Sequence, residues 1–224
     1  MIGQSLLPMA DCINFADFGP QTRLMQTKLT FDDDGNKRSL LGRAISYVRE
    51  GEQIFGSFGV DNTAYLVYHG IALQSNSHDT VRISLRSVPK HKKIQSTLLA
   101  KAGVKKFYSL TPQNFAPSIM MAHLRILALY DKEMRHHRHH DFVNEPISRN
   151  NELRSLRMLV RSLKKSAKAY HTPKGALSQS ASSVEKYVRI YKFSQHKLIR
   201  DTIDAVELFI KEKFPRKNHR RTEL

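Results

Sequence analysis

Cysteine is nearly absent from this sequence, with Cys12 the one thiol in 224 residues. A single thiol excludes an internal disulfide and suits a reducing compartment, which makes the cytosol, with the nucleus as the second choice, the expected location. The first twenty residues contain neither a basic leader nor an uninterrupted apolar run, so neither a signal peptide nor a membrane span is expected. Acidic residues are also scarce: 20 Asp and Glu stand against 37 Lys and Arg, an excess of +17. Such a balance attracts nucleic acid, anionic lipid or an acidic protein surface without choosing among them. No RRM, KH or zinc-finger pattern accompanies it, so RNA binding rests on charge alone. Most of the cations are interleaved with apolar positions at helical spacing, as on solvated helix faces.

Hydrophobic residues at 40% allow a true core, and the length fits one large domain or two small ones. Met25, Thr27, Leu29 and Phe31 alternate with Gln26, Lys28 and Thr30, the period of a half-buried strand. Asp32-Asp33-Asp34-Gly35-Asn36 then turns the chain. The spaced oxygen ligands and closing Glu of a calcium loop are missing, so a solvated hairpin tip is expected there. The return strand is placed around Leu40 to Val48. A Gly51-Glu52 turn follows, then a short apolar strand through Phe58. Asp61 or Asn62 can cap a two-turn helix that Gly70 stops. Val81, Ile83 and Leu85 alternate as one more strand.

Beyond the basic connector Pro89-Lys90-His91-Lys92-Lys93 the pattern is helical throughout. Met120, Leu124 and Leu127 form one stripe. Leu153, Leu156, Val160, Leu163, Ala167 and Tyr170 form a second, and Ile199, Ile203, Val206 and Ile210 a third, after a restart capped by Ser194. His136-His137-Arg138-His139-His140 has imidazoles enough for zinc, yet Arg138 adds repulsion and no Cys or spaced carboxylate completes a tetrahedron, so no metal site is expected. The tail Lys213 to Arg221 reads as a nuclear-import or RNA-contacting patch or as a frayed, solvated terminus.

Three blocks in register, Leu6-Leu7-Pro8-Met9-Ala10-Asp11-Cys12-Ile13-Asn14, Gly51 to Gly70, and Ser75 to Ile83, resemble the closing part of a SET-domain protein methyltransferase. The resemblance is closest to the branch with the actin-histidine and Rubisco large-subunit methyltransferases. It implies an α+β fold, in which the C-terminal part of SET (1–88) precedes an all-α substrate-binding domain (89–214) and a basic tail (215–224). Leu98-Leu99-Ala100-Lys101-Ala102-Gly103 supports the second part. The implied chemistry is methyl transfer from S-adenosylmethionine to a histidine ring nitrogen of an actin-like protein substrate, or to a lysine amine.

The resemblance also assigns positions. Asn14 matches an Asn that helps hold the cofactor, and Phe15 stands where the family has His, so an apolar ring replaces a polar contact. Phe58 stands where the family's catalytic tyrosine orients the reacting groups; the ring remains and the hydroxyl is gone, a loss worth about 2.7 to 4 kcal/mol of barrier. Ala10 replaces a large aromatic of the actin-histidine members. No Gly-x-Gly segment, through which SET backbones approach the cofactor, occurs anywhere. The first half of the domain is thus expected to be absent and activity weakened or lost in this chain alone. Two alternatives remain: a non-catalytic module that docks an actin-like or acidic partner, and a basic RNA-binding protein.

The charge reading yields a measurable expectation. Affinity for a generic RNA, measured by fluorescence anisotropy, is expected to fall steeply with salt, because each neutralised phosphate releases a counterion. Sequence-selective binding that persists at physiological salt would contradict the family-based reading.

Overall fold

The computed structural model describes residues 25–31, 38–44, 47–56, 59–85, 92–137, 139–170 and 182–215. The turn at 32–37, the Leu6–Asn14 block, Phe58, the connector residues Pro89 to His91, Arg138 and the tail beyond Pro215 lie outside them. The described chain is mixed α+β and mostly helical, with two separate two-stranded sheets. It divides into two compact units, 1–78 with 180–191, and 79–179 with 192–224.

In the first unit, β1 (Met25–Phe31) pairs antiparallel with β2 (Arg38–Ala44), Met25 opposite Ala44 and Phe31 opposite Arg38. The return strand therefore starts earlier than the expected 40, and Tyr47 and Val48, expected within it, are not strand; residues 45 and 46 lie outside the described ones. Of the apolar strand expected up to Phe58, the described residues show isolated bridge pairing at Phe55 and Gly56, and Ser57 and Phe58 lie outside them. Ahead of it Gly51, at φ 83°, makes the turn, while the Glu52 carboxylate accepts from the Arg49 N–H at 2.8 Å.

The helix after this segment forms as its residues dictate. Asp61, extended at φ −72° and ψ 164°, accepts from the Ala64 N–H at 2.9 Å and so satisfies a donor that the first turn leaves free. From it run α1 (Asn62–Ala64) and a π-helical turn (Tyr65–His69), until Gly70 at φ 68° takes the left-handed conformation that ends a helix. Asn62 is not the cap. It is fully buried, donating from Nδ2 to the Leu73 carbonyl at 2.9 Å and accepting the Leu73 N–H at 2.8 Å, so its amide pairs with the returning backbone as a neighbouring strand would.

The second unit holds β3 (Val81–Ile83), α2 (Lys92–Lys101), β4 (Tyr108–Leu110), α3 (Ser118–Leu127), α4 (Asp131–His136), α5 (Arg149–Ala169) and most of α6 (Ser183–Lys213). The expectation of helix throughout this stretch fails at β4, which pairs antiparallel with β3, Val81 opposite Leu110. Three residues carry only one alternation, too little to mark a strand without its partner. Ser194 does not restart a helix, because α6 runs through it unbroken. The true cap is Ser182, whose hydroxyl oxygen accepts the Glu185 N–H at 3.2 Å while the Glu185 carboxylate accepts the Ser182 N–H at 2.7 Å.

The core follows the stripes. Leu156, Leu159, Val160 and Leu163 of α5 meet Ile199, Ile203 and Val206 of α6, together with Met120 and Leu124 of α3 and the inward residues of β3 and β4. The opposite side of α3, Ala122 and Ile126, packs with Leu98, Leu129, Met134 and Phe142 in a second cluster. Residues 120–126 are buried without exception, so α3 has no solvent face. A helix buried all round must also bury its polar residues.

Arg125 is one of them. It makes a two-pronged pair with Glu152 of α5, Nε to Oε2 at 2.7 Å and Nη2 to Oε1 at 2.8 Å, and donates from Nη1 to the Phe142 carbonyl at 2.8 Å. Arg154 makes a parallel clamp, with Nε on the Ala128 carbonyl at 3.1 Å, Nη2 on Glu133 at 2.9 Å, and its guanidinium 4.0 Å above the Tyr130 ring. Deleting one member of a buried pair leaves the other charge uncompensated. Arg125→Ala is therefore expected to cost about 3 to 5 kcal/mol by urea denaturation, and Asp61→Ala about 1 kcal/mol. A loss for Arg125→Ala no greater than that for Asp61→Ala would contradict the assignment.

Candidate functional site

Of the three residues the sequence singled out, none enters the described structure: Asn14, Phe15 and Phe58 all lie outside it. What is described is the segment that flanks Phe58. Gly59 has φ 62°, a left-handed conformation that glycine alone adopts at little cost, and a Cβ there would touch the His78 ring at 3.8 Å. Asn76 donates to the Val60 carbonyl at 2.9 Å and accepts the His78 N–H at 3.0 Å, fixing Asn76 and His78 beside the segment. The side chains of Asp61, Asn62 and Asn76 are thus bonded to backbone groups of this unit. They do not fit as contacts to S-adenosylmethionine, and Asn14 stays the one residue that the resemblance offers for it.

In the second unit a cleft of about 800 Å³ opens between α5 and the end of α6. Its apolar lining comes from Val160, Ile210, Phe214 and Pro215. Arg157 and Arg161, one turn apart on α5, and Lys211 on α6 add three cations to the lining. Glu207 also borders it, but its carboxylate binds Lys164 at 2.7 Å. Among the described residues, Arg157, Arg161 and Lys211 have no carboxylate partner within ion-pair distance. Arg149 holds the Phe214 ring from outside, its guanidinium 5.3 Å from the centroid. The stripes place Val160 and Ile210 in the core and the cations on solvated faces. The signal that could have found the cleft is the spacing of Arg157, Arg161, Lys164 and Lys168 along one side of α5, beside Val160.

A second polar group lies inside the same unit. The Tyr108 hydroxyl accepts the Lys105 N–H at 3.0 Å and sits 3.0 Å from Nδ1 of His123 on α3. The hydroxyl and the neutral imidazole share one proton-bearing contact, whose direction follows the His123 tautomer. Burial lowers the His123 pKa below its ordinary 6.5, and burial raises Tyr108 above 10.0 against the smaller, opposing effect of the Lys105 amide. The pair is a core bond in its neutral form.

The histidine run is tied to nearby carbonyls. His136 Nδ1 lies 2.7 Å from the Lys132 carbonyl, and His140 Nε2 lies 3.0 Å from that of Glu145. Among the described residues no three His, Cys, Asp or Glu side chains are grouped to hold a metal ion, and no helix is long and apolar enough to cross a membrane.

Residues 89–199, just under half of the chain, match the family described as Rubisco LSMT substrate-binding. The match spans α2 to α5 and the first part of α6. It supports a relation to SET-type protein methyltransferases. Among curated proteins, none matches the chain.

The neutral His123–Tyr108 pair gives a pH dependence with a fixed sign. Below pH 6.5 the unfolded chain takes up a proton that folded His123 resists, so stability falls as the pH drops from 6.5 towards the lowered pKa. Above pH 10.0 the unfolded chain releases the Tyr108 proton first, and stability falls as pH rises. His123→Gln, whose side-chain oxygen can still accept from Tyr108, is expected to flatten the acid limb in thermal melts between pH 7 and 5. An unchanged acid limb would contradict the lowered pKa of buried His123.

Proposed function

We propose that this chain is part of a SET-type protein methyltransferase of the actin-histidine branch, and that its helical unit receives the protein substrate. The observation that carries the reading is the family match over 89–199, lying directly after the Gly51–Gly70 and Ser75–Ile83 blocks that resemble the end of a SET domain. When bound, S-adenosylmethionine supplies the methyl group, and the acceptor is a histidine ring nitrogen of an actin-like protein.

Within that reading the chain's own residues divide the work. By the resemblance, Asn14 offers a donor and an acceptor to the cofactor, and Phe58 takes the position of the family's catalytic tyrosine without the hydroxyl that orients the acceptor. Phe15 and Phe58 each remove a polar group, so this chain alone transfers methyl groups weakly or not at all. These two residues favour a second reading, in which the chain serves as a non-catalytic docking module for the same class of partner, and the cationic cleft fits that role equally well.

Calorimetry with millimolar S-adenosylmethionine is expected to show weak or no binding to this chain; micromolar affinity would contradict the assignment of Asn14 as its main contact. In a chain joined to a complete upstream SET half, Phe58→Tyr is expected to raise transfer of a radiolabelled methyl group to a histidine-bearing actin peptide about a hundredfold or more. An extended enzyme fully active with Phe58, and indifferent to the change, would show that the catalytic position is wrongly assigned.

A further inference from the structure

We propose that the cleft between α5 and the end of α6 docks a segment of the protein partner that carries acidic residues around one or two large apolar side chains. The inference deepens the reading of the helical unit as protein-binding and rests on it.

Two properties of the cleft select this chemistry. Its apolar part is mostly aliphatic, from Val160, Ile210 and Pro215, with Phe214 the single aromatic ring. Nucleic acid gains affinity from successive bases stacked on aromatic rings, and one ring offers little of that, whereas Leu, Ile or Phe side chains of a peptide fill such a space by dispersion and desolvation. A volume of about 800 Å³ is enough for several side chains.

The second property is charge. Arg157, Arg161 and Lys211 have no carboxylate of this chain to neutralise them among the described residues, and Lys164 takes the one acid of the lining, Glu207. Complementary carboxylates beside an apolar anchor would find partners here, and an Arg fork is well shaped to accept them. The chain's own tail is a poor occupant. Residues 216–224 follow Pro215 at the edge of the cleft, but Arg216, Lys217, Arg220 and Arg221 outnumber its one acidic side chain, Glu223, and would be repelled.

The probe is a fluorescein-labelled peptide, Asp-Glu-Asp-Leu-Leu-Asp-Phe-Glu-Asp, titrated with the full chain at 0.15 M salt. Three controls are run beside it: the peptide with Leu and Phe changed to Ser, the peptide with its acids changed to Asn and Gln, and an RNA oligomer of similar charge. The apolar acidic peptide is expected to bind, and each peptide control to bind at least about tenfold more weakly. The double variant Arg157→Glu and Arg161→Glu is expected to lose about tenfold or more, with an unchanged melting temperature, since both side chains are exposed. If that variant fails to fold, Lys211→Glu at the opposite wall is expected to show a loss of the same direction.

Hydrogen exchange separates the inference from the reading beneath it. With bound peptide, protection is expected over 156–164 and 206–214. Protection confined to another face of the helical unit would overturn the cleft while leaving the unit protein-binding. Absence of binding by any peptide would overturn both. Equal binding of the Ser-containing peptide, or RNA binding lost in the same variants, would reduce the cleft to a general cationic patch and overturn the proposal. A rise in peptide affinity on deleting 216–224 would show that the tail is the occupant, with the same consequence.

Discussion

The helical unit depends on one constraint, that α3 is enclosed on every side. A helix with no solvent face gains apolar contacts all round but must find bonds for each polar group it carries inward. Two such groups are present. Arg125 finds Glu152 and the carbonyl of Phe142, and His123 finds the Tyr108 hydroxyl. Each bond reaches a different neighbour, α5 and the loop at Phe142 in the first case and β4 in the second, so the polar residues of α3 also fix the positions of the elements around it. Asn151, fully buried at the start of α5, adds a further tie by donating to the Arg125 carbonyl at 3.1 Å.

From that frame the docking surface follows. α5 is held to α3 near its start by Glu152 on Arg125 and by Arg154 on the Ala128 carbonyl, and its Leu156, Leu159 and Leu163 share one core cluster with Ile199, Ile203 and Val206 of α6. Beyond Val206 the two helices leave the cleft between them, walled by residues whose apolar parts are continuous with the core and whose charges reach solvent. The rigidity of the core and the openness of the cleft are therefore parts of one arrangement. A preformed surface loses little freedom when a partner arrives, which favours recognition of an extended segment.

Much of this was legible in the residues, though unevenly. Asp61 and Gly70 announced both ends of their helix because capping chemistry is local. The stripes on α5 and α6 announced the core because 3.6-residue periodicity survives in long helices. β4 was not legible, since a three-residue strand exists only by virtue of β3 opposite it. Ser194 misled because a capping residue type within a long helix looks like a start, while the Ser182–Glu185 box that does start α6 went unread. Phe58, Asn14 and Phe15 came from resemblance rather than from periodicity, and lie outside the described residues. The cleft was hidden because each of its walls reads as an ordinary amphipathic helix until the two are placed side by side.

The most direct test of the α3-centred account is native-state hydrogen exchange of the full chain without any ligand. The account predicts that amides of 120–126 exchange last, together with those of 156–163, and at the rate set by complete unfolding of the helical unit, since α3 cannot open without breaking both core clusters and the Arg125–Glu152 pair. Exchange of 120–126 through local opening, as fast as that of the short helix at 62–69, would contradict it.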